Sequence, residues 1–227
     1  MQMSEIEARH EARREAASVA LCSSAALTLL ALVSWHQGWE LVELPWWIWL
    51  ALAVPGILLV LDLWLGSRGM RLAARRGPAL ALLAMIVGGN LVGLGLLVWA
   101  LTTTRSNEIG GGQLLLTAAV IWVVNALAFG VAFWDVDDGG PFERANKRRT
   151  TPDLQFPQDE NPKLASEKWR PRIWDYLYVS LTNSSAFSPT DAMPLTLKAK
   201  LLMGTQSTIS LVIIVLVTAR AVNVLGS

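Results

Sequence analysis

The sequence has few of the residues that usually carry chemistry. It contains one cysteine, Cys22, and two histidines, His10 and His36, in 227 residues. A single cysteine excludes a disulfide framework within the chain. The two histidines lie on opposite sides of the first apolar run, where they cannot share a metal ion. The motifs HExxH, G-x-S-x-G, G-x-G-x-x-G and the P-loop are also missing. We therefore expect no enzyme, with no catalytic residue, no metal site and no cofactor.

Charge is scarce as well. Charged residues make up 16% of the chain and hydrophobic residues 53%, whereas about a quarter of a soluble domain is charged. The net charge of +1 comes from balanced acids and bases, so no nucleic-acid partner is expected. The apolar residues fall in runs of roughly 20, the length that a helix needs to cross a hydrocarbon core of about 30 Å. The composition predicts an all-α integral membrane protein embedded in a lipid bilayer.

The positions of the apolar runs predict both the number of spans and their direction. We predict five transmembrane helices, over Ala17–Trp35, Trp46–Leu65, Ala79–Leu101, Leu114–Trp134 and Leu197–Leu225. Lys and Arg are concentrated in the N-terminal tail, in residues 66–77 and in residues 135–172. Because cytoplasmic connections carry the excess of Lys and Arg, this distribution predicts a cytoplasmic N-terminus and a C-terminus on the outer side.

The same runs divide the chain into four parts. Residues 1–16 form a charged cytoplasmic segment, predicted to be a short helix, and residues 17–134 form a four-span helical bundle. Residues 135–172 are rich in charge, proline and glycine, which predicts a mostly irregular cytoplasmic connection. Residues 173–227 hold a short helix, a polar turn and the last span.

The short helix is predicted from the stretch RIWDYLYVSLTNSSAF. Ile173, Leu177 and Leu181 recur at helical spacing. A helix from Ile173 to Phe187 would rise only about 22 Å, and its end is polar, so it does not qualify as a span. Two interpretations remain open. The helix lies on the inner membrane surface, or it enters the bilayer and turns back, which requires that its turn be buried in protein or line a water-filled cavity.

A purely structural interpretation of the turn is equally compatible with the sequence. Thr190 or Asp191 precedes an apolar helix, and Pro194 would fall in the first turn of that helix, as in ordinary N-capping. Ser184 and Ser185 would satisfy the end of the short helix. On this interpretation the region is a capped helical hairpin docked at the inner surface.

The order of these elements resembles the pore region of tetrameric cation channels, in which a span, a short pore helix, a polar turn and a second span follow one another. The residues that carry the resemblance lie in YLYVSLTNSSAF and in Asp191, Pro194 and Thr196. Ala186, Phe187 and Ser188 stand where potassium channels have glycine, an aromatic residue and glycine. A filter of aligned carbonyls needs glycine-permitted dihedrals, so the resemblance implies a pore of weak selectivity.

The C-terminal third also resembles a family of bacterial integral membrane proteins known only as a domain of unknown function, number thirteen forty-five. The resemblance runs from DLQFPQDENP through WDYLYVSLTNSSAFSPTD to ARAVNVL. It includes a Phe-x-x-Ser/Thr-Asp pattern before the last span, here Phe187 to Asp191. The resemblance implies a multi-pass fold in the bacterial inner membrane and no particular activity.

The leading functional prediction is an oligomeric pore for small monovalent ions. A single chain of five helices is too small to enclose a path, so a homo-oligomer is expected. The predicted pore-lining residues are Thr182, Asn183, Ser184, Ser185, Phe187, Asp191, Thr205, Gln206 and Thr208. The alternative is a non-conducting scaffold or accessory subunit that binds a partner or anionic lipid. A small-solute transporter is a third hypothesis, for which Asn90 and Asn125 are the mid-span candidates.

Overall fold

The computed structural model describes residues 5–40, 45–65, 87–89, 91–99, 110–146, 152–161, 163, 165, 169–188 and 192–225. Within this part of the chain the backbone is mostly helical. Three helices are long and apolar enough to cross a membrane, over Ser18–Gln37, Gly111–Gly139 and Leu197–Ala219. They correspond to the first, fourth and fifth predicted spans.

The long helices follow the apolar runs closely but not completely. Helix α1 begins within the charged N-terminal segment, so that segment and the first apolar run form one continuous helix. The apolar stretches of α2 and α3 are shorter than 18 residues, so the second and third predicted spans are matched only in part. The first residues of the third predicted span lie outside the described residues. The helix bounds are α1 Glu5–Gln37, α2 Trp47–Leu65, α3 Val87–Trp99 (residue 90 is not described) and α4 Gly111–Val136.

Short elements follow α4. A 3₁₀ turn over Asp137–Gly139 continues directly from it. The φ angles of Gly139 and Gly140 are 78° and 100°, a conformation that glycine adopts without steric cost. The described part of segment 135–172 thus holds regular elements where a mostly irregular connection was predicted. The remaining elements are α5 Pro141–Asn146, β1 Leu154–Gln155, α6 Pro157–Glu160, α7 Ile173–Ala186, β2 Met193–Pro194 and α8 Leu197–Leu225.

Strands β1 and β2 fix where α8 begins. They pair antiparallel, with Leu154 opposite Pro194, and the backbone N–H of Leu195 donates to the carbonyl of Asp153 at 2.9 Å. Pro194 therefore belongs to a strand and not to the first turn of a helix. Thr196 caps α8, because its Oγ1 accepts a hydrogen bond from the backbone N–H of Ala199 at 3.4 Å. The predicted cap at Thr190 or Asp191 is wrong for this reason.

The chain divides into two compact units. The first unit comprises Met1–Val19 and Ala126–Thr208, and the second comprises Ala20–Asn125 and Ile209–Ser227. Among the described residues, the largest fully buried side chains of the first unit include five from α4, β1 and α7. They are Phe129, Phe133, Leu154, Ile173 and Tyr176.

The second unit contains a buried hydrogen bond between α4 and α8. The side-chain amide of Asn125 in α4 donates to the hydroxyl of Ser210 in α8 at 3.0 Å, and both residues are fully buried. Asn90, the other polar residue predicted within a span, lies outside the described residues. The unit also encloses a small cavity lined by Ser23, Ser24, Trp49, Gly56, Gly93 and Ile121, among others.

Candidate functional site

Helix α7 packs antiparallel to the second half of α4. Tyr176 reaches Asp137, and further along α7 the hydroxyl of Ser180 donates to the carbonyl of Ala126 at 2.6 Å. Between these two contacts Leu177 lies against Gly130. A Cβ added at Gly130 would come within 2.6 Å of Leu177 Cδ2 and 3.2 Å of its Cα. The missing side chain of Gly130 therefore allows the backbones of the two helices to approach closely.

A buried polar network joins α7 to α8. It consists of Ser180, Asn183, Ser184, Gln206 and Ser207. The amide of Asn183 donates to Gln206 Oε1 at 2.8 Å and to the carbonyl of Met203 at 3.0 Å. Gln206 Nε2 donates to Ser184 Oγ at 2.7 Å and to the carbonyl of Ser180 at 3.0 Å. Ser207 donates to Asn183 Oδ1 at 3.0 Å. Each amide group in the network thus has partners on the neighbouring helix.

Helix α7 buries polar residues in its C-terminal half and exposes several large apolar ones. Ser180, Asn183 and Ser184 are buried, together with the apolar residues of the same inner face. In contrast, Trp174 is 65% exposed and Leu181 45% exposed. A helix on the surface of a soluble protein usually has its apolar stripe facing the core, and α7 departs from that pattern at these two residues.

Asp137, at the end of α4, organises the base of α7. Its carboxylate is fully buried. Oδ1 accepts hydrogen bonds from the backbone N–H groups of Asp153 at 2.7 Å and Leu154 at 3.0 Å. Oδ2 accepts a hydrogen bond from the hydroxyl of Tyr176 at 2.5 Å. One carboxylate thereby ties together the end of α4, the start of β1 and the first turn of α7.

A second buried carboxylate, Asp153, continues this arrangement to α8. Its Oδ1 accepts from the hydroxyl of Thr196 at 2.5 Å, and its Oδ2 accepts from the backbone N–H of Asp138 at 3.2 Å. Lys198 Nζ lies 3.3 Å from Oδ1. We call Asp137 and Asp153, with the groups that bind them, the carboxylate cluster.

Arg144 supplies positive charge beside the cluster. Its guanidinium donates to the carbonyl of Asp137 and lies 5.1 Å from the centre of the Tyr176 ring, within the range of a cation–π contact. The carbonyl of Arg144 accepts a hydrogen bond from Arg170 at 2.8 Å. Phe156 completes the packing, with its ring edge-on to Tyr176 at 5.4 Å. Charge and aromatic packing thus hold the base of α7 in place.

The first turn of α7 is capped by two carboxylates. Asp175 Oδ2 accepts a hydrogen bond from the backbone N–H of Arg172 at 2.7 Å. Glu15 of α1 accepts from the backbone N–H of Ile173 at 3.4 Å. Negative charge is favourable at a helix N-terminus. The N-terminal part of α1 therefore contacts the base of α7.

Helices α7 and α8 begin at the same end, and this defines a hairpin. The start of α7 is tied to the carboxylate cluster through Tyr176, and the start of α8 through Thr196. From there α7 runs to Ala186, where Phe187 ends it in the left-handed conformation with a φ of 55°. The chain must then return to the cluster before α8 begins. Residues 187–196 make this return.

The structure divides the predicted pore-lining residues into two groups. Asn183, Ser184 and Gln206 come together in the buried network. The side chains in the other group are exposed or half-buried. Thr182, Ser185 and Thr208 donate to carbonyls of their own helices, while Phe187 and Thr205 are exposed. The residues of this second group are Thr182, Ser185, Phe187, Thr205 and Thr208. Asp191 lies outside the described residues.

Sequence reasoning missed the carboxylate cluster. The acids of segment 135–172 alternate with bases, a pattern that is typical of a solvated linker. Nevertheless Asp137 and Asp153 are buried. The available signal was the position of Asp137, which lies three residues after the apolar run that ends at Trp134 and two residues before Gly139 and Gly140. Among the described residues no group of three or more His, Cys, Asp and Glu is arranged to hold a metal ion.

No family model matches the chain, and neither a curated protein nor a solved structure is significantly similar to it.

Proposed function

We propose that the protein is an oligomeric ion-conducting pore in which α7 and the turn after it form a re-entrant half-helix. The observation that carries the proposal is the depth at which α7 ends. Ser180 contacts Ala126, which precedes the end of α4 at Val136 by about 15 Å of helix rise. From Ser180, α7 continues for six residues, about 9 Å, to Ala186. If α4 crosses a hydrocarbon core of about 30 Å, α7 passes its middle and ends before its far side.

The apolar exterior of α7 supports insertion rather than docking in water. Trp174, Tyr178 and Leu181 are exposed, while the polar side chains of Ser180, Asn183 and Ser184 are hydrogen-bonded inside. Lipid tails accept apolar side chains, but they offer no hydrogen-bond partner to a polar group. A helix in lipid must therefore expose apolar side chains and satisfy its polar side chains within the protein, and α7 does both at these residues. Of the two interpretations left open by the sequence, the half-helix is the better supported.

The topology proposed with this pore has five spans and a cytoplasmic N-terminus. Three apolar helices are of spanning length, and α2 and α3 supply the other two crossings. The carboxylate cluster lies at the end of α4 where Arg144, Arg170 and Lys198 also gather. An excess of Lys and Arg is characteristic of the cytoplasmic side. The half-helix therefore enters from the cytoplasm of a bacterial inner membrane.

The turn after α7 is the part of the proposed half-helix that requires contact with protein or water. Residues 185–188 are exposed, and Phe187 has left the helical conformation. Non-helical backbone at membrane depth is tolerated only where protein buries it or where it lines water. Several copies of the chain arranged around this turn would bury part of it in protein and enclose water against the rest. Within the described part of one chain, nothing covers the exposed side of residues 185–188.

The structure changes the role that we assign to three residues. Asn183, Ser184 and Gln206 are occupied with hydrogen bonds inside the chain, so they support the half-helix and do not line a path. We retain Ser185, Phe187, Thr205 and Thr208 as lining candidates, together with Asp191 from the sequence. The carbonyl end of α7 carries partial negative charge. This favours cations, with weak selectivity among monovalent ones.

A second candidate function is a non-conducting scaffold or accessory subunit. It is favoured by the completeness of the buried network, in which the side chains of Asn183 and Gln206 find their partners within the chain. A hairpin that is satisfied in this way is stable without a pore. The exposed surfaces of α7 and α8 would then bind a partner protein or anionic lipid.

Ion flux through purified protein in liposomes separates the two functions. Cysteines are introduced one at a time at Ser185, Thr205 and Thr208 in a Cys22→Ala background, because Cys22 is exposed. A positively charged, water-soluble thiol reagent is then added. The pore requires that potassium or sodium flux be blocked at one or more of these positions. The matched control is Leu29→Cys, on the exposed face of α1, where flux should not change.

Two results would contradict the pore. The first is no flux of potassium, sodium or chloride through the well-folded oligomer at either polarity of voltage. The second is an equal effect of the reagent at Leu29→Cys and at the three lining positions. Either result would leave the scaffold as the supported function.

A further inference from the structure

The small cavity of the second unit lies where α1, α2, α3 and α4 meet. Its volume is about 20 Å³, and all of its lining residues belong to that unit. Most of the lining is apolar, including Leu27, Ile121 and Val124. The exceptions are two neighbouring serines of α1, Ser23 and Ser24, which are 5% and 6% exposed. Two buried hydroxyl groups thus border a space whose other walls are mostly hydrocarbon.

The protons of both hydroxyls are already used in hydrogen bonds. Ser23 Oγ donates to the carbonyl of Ala20 in its own helix at 3.0 Å. Ser24 Oγ donates to the carbonyl of Ala53 in α2 at 3.4 Å. Neither hydroxyl oxygen accepts a hydrogen bond from a described residue. Because a hydroxyl oxygen has two acceptor lone pairs, both serines can still accept. A molecule that binds to them must therefore act as a donor.

The oxygen atoms converge on one point beside Gly56 of α2. A Cβ added at Gly56 would overlap the hydroxyl oxygen of Ser24. It would also lie 3.2 Å from the carbonyl oxygen of Ala20 and 3.6 Å from the hydroxyl oxygen of Ser23. The missing side chain of Gly56 therefore lets the backbone of α2 lie directly against three oxygen atoms of α1. A small donor beside them would have three acceptors nearby.

We propose that this cavity binds one water molecule, which the hydroxyls of Ser23 and Ser24 hold between α1 and α2. Buried waters in proteins make about three hydrogen bonds to polar groups that lack other partners. A cavity needs roughly 10–15 Å³ to hold a water, and this cavity is larger. Water also brings two donors in a very small volume, which matches a lining whose polar atoms can only accept.

A monovalent cation of similar size would also be attracted to oxygen lone pairs. None of the lining residues is acidic, however. A cation would carry a full charge into a mostly apolar site, which costs far more than burying a neutral molecule that is hydrogen-bonded. The chemistry of the site therefore favours water. Its occupancy does not depend on whether the protein conducts ions.

X-ray radiolysis of the purified protein tests the site. A bound water releases hydroxyl radicals in place, whereas radicals made from peroxide in bulk solvent reach only exposed side chains. Trp49 lines the cavity and is 2% exposed. With the exposed Trp47 as the reference in both reactions, Trp49 should be oxidised several-fold faster by radiolysis than by peroxide-derived radicals. This excess should disappear in the double variant Ser23→Ala, Ser24→Ala.

Two results of radiolysis would overturn the proposal. The first is no excess oxidation of Trp49 in the wild-type protein. The second is an undiminished excess in the double serine variant, because the water would then not be held by the two hydroxyls.

Filling the cavity supplies a second measurement. A Cβ at Gly93 would lie 3.7 Å from Ile121 and 3.9 Å from Leu52, so a methyl group fits at the cavity wall without a clash. Gly95→Ala in the same helix is the control, because no atom lies within 4 Å of its added Cβ. Both variants gain the same helix propensity. Gly93→Ala should nevertheless unfold about 2–4 °C below Gly95→Ala, because its methyl group competes with the water.

The opposite order of melting temperatures would indicate a dry cavity that a methyl group fills favourably, and would overturn the proposal. Exchange of sodium chloride for choline chloride distinguishes water from a cation. The melting temperature should not change between the two salts. A melting temperature that rises with sodium in the wild-type protein but not in the double serine variant would assign the cavity to a cation and overturn the water.

Discussion

The side chain of Asn183 donates a hydrogen bond to the side-chain oxygen of Gln206 at 2.8 Å, and both residues are buried. This bond joins the last turn of α7 to α8. Asn183 also donates to the carbonyl of Met203 and accepts from Ser207. No other residue of α7 has as many partners on α8 among the described hydrogen bonds. The position of α7 against α8 therefore depends on this amide.

Replacing Asn183 by alanine is expected to lower the free energy of unfolding by about 1–3 kcal/mol, because Gln206 is left with an unpaired buried oxygen. Unfolding in mixed detergent micelles, followed by tryptophan fluorescence, measures the change. A double-mutant cycle with Gln206→Ala should give a coupling of about 0.6–1.7 kcal/mol. Ser185→Ala, on the exposed side of α7, is the control and should stay within about 0.5 kcal/mol. Additive effects of the two alanines would show that the pair is not coupled.

Removing the hydroxyl of Tyr176 should also lower the free energy of unfolding. Tyr176→Phe keeps the ring contacts with Phe156 and Arg144 but removes the donor to the Asp137 carboxylate. Hydrogen bonds to charged groups contribute about 1.5–3 kcal/mol, so a loss of this size is expected in the same unfolding measurement. Tyr178→Phe is the matched control, because Tyr178 is exposed. Equal stability of the two variants would mean that the Asp137 contact contributes nothing.

Gly130 should tolerate no side chain. A Cβ there would be 3.2 Å from the Cα of Leu177, and a backbone contact of this kind is relieved only by moving α7 away from α4. We expect Gly130→Ala to cost about 1–3 kcal/mol. Gly112→Ala, in the same helix α4 but with open space around it, should instead be neutral or stabilise by up to about 1 kcal/mol. The same sign for both variants in thermal unfolding would refute close packing at Gly130.

Thr196 and Lys198 both bind Asp153, and their contributions should differ. Thr196→Val removes a short hydrogen bond to Asp153 and the cap of α8. The expected cost is about 1–2 kcal/mol. Lys198 is 64% exposed and pairs with the same carboxylate at 3.3 Å. An exposed ion pair contributes at most about 1 kcal/mol and is screened by salt. Lys198→Met should therefore have the smaller effect, and a reversed order in chemical unfolding would contradict this ranking.

The long helices were largely predictable from the sequence, because hydropathy reports directly on which segments lipid will accept. The last predicted span, Leu197–Leu225, has the same bounds as α8. The hydrogen-bonding role of Asn125 was predictable for the same reason, since a lone amide in an apolar run needs a partner on another helix. Its partner, Ser210, was not predictable from the sequence, because helix pairing is a tertiary property.

The apolar periodicity of α7 could not predict which of its faces is buried. Ile173, Leu177 and Leu181 form an apolar stripe in the sequence, yet Ile173 is buried and Leu181 exposed. In water, an apolar stripe faces the core. In a bilayer, lipid is as apolar as the core, so the stripe no longer identifies the inner face. The inner face of α7 combines apolar residues with the buried polar residues Ser180, Asn183 and Ser184. Three of the predicted lining residues are therefore hydrogen-bonded inside.

The two residues of the Asn183–Gln206 pair are synthesised at different times. Asn183 leaves the ribosome 23 residues ahead of its partner, which corresponds to roughly one to five seconds of translation at about 5–20 residues per second. If α7 enters the bilayer as proposed, the amide of Asn183 would be unpaired in hydrocarbon during that interval, at a cost of several kcal/mol. The proposed half-helix is therefore expected to wait at the membrane surface until α8 has been inserted. In the proposed topology, the insertion of α8 thus determines whether α7, which is synthesised earlier, stays at the membrane surface or enters the lipid.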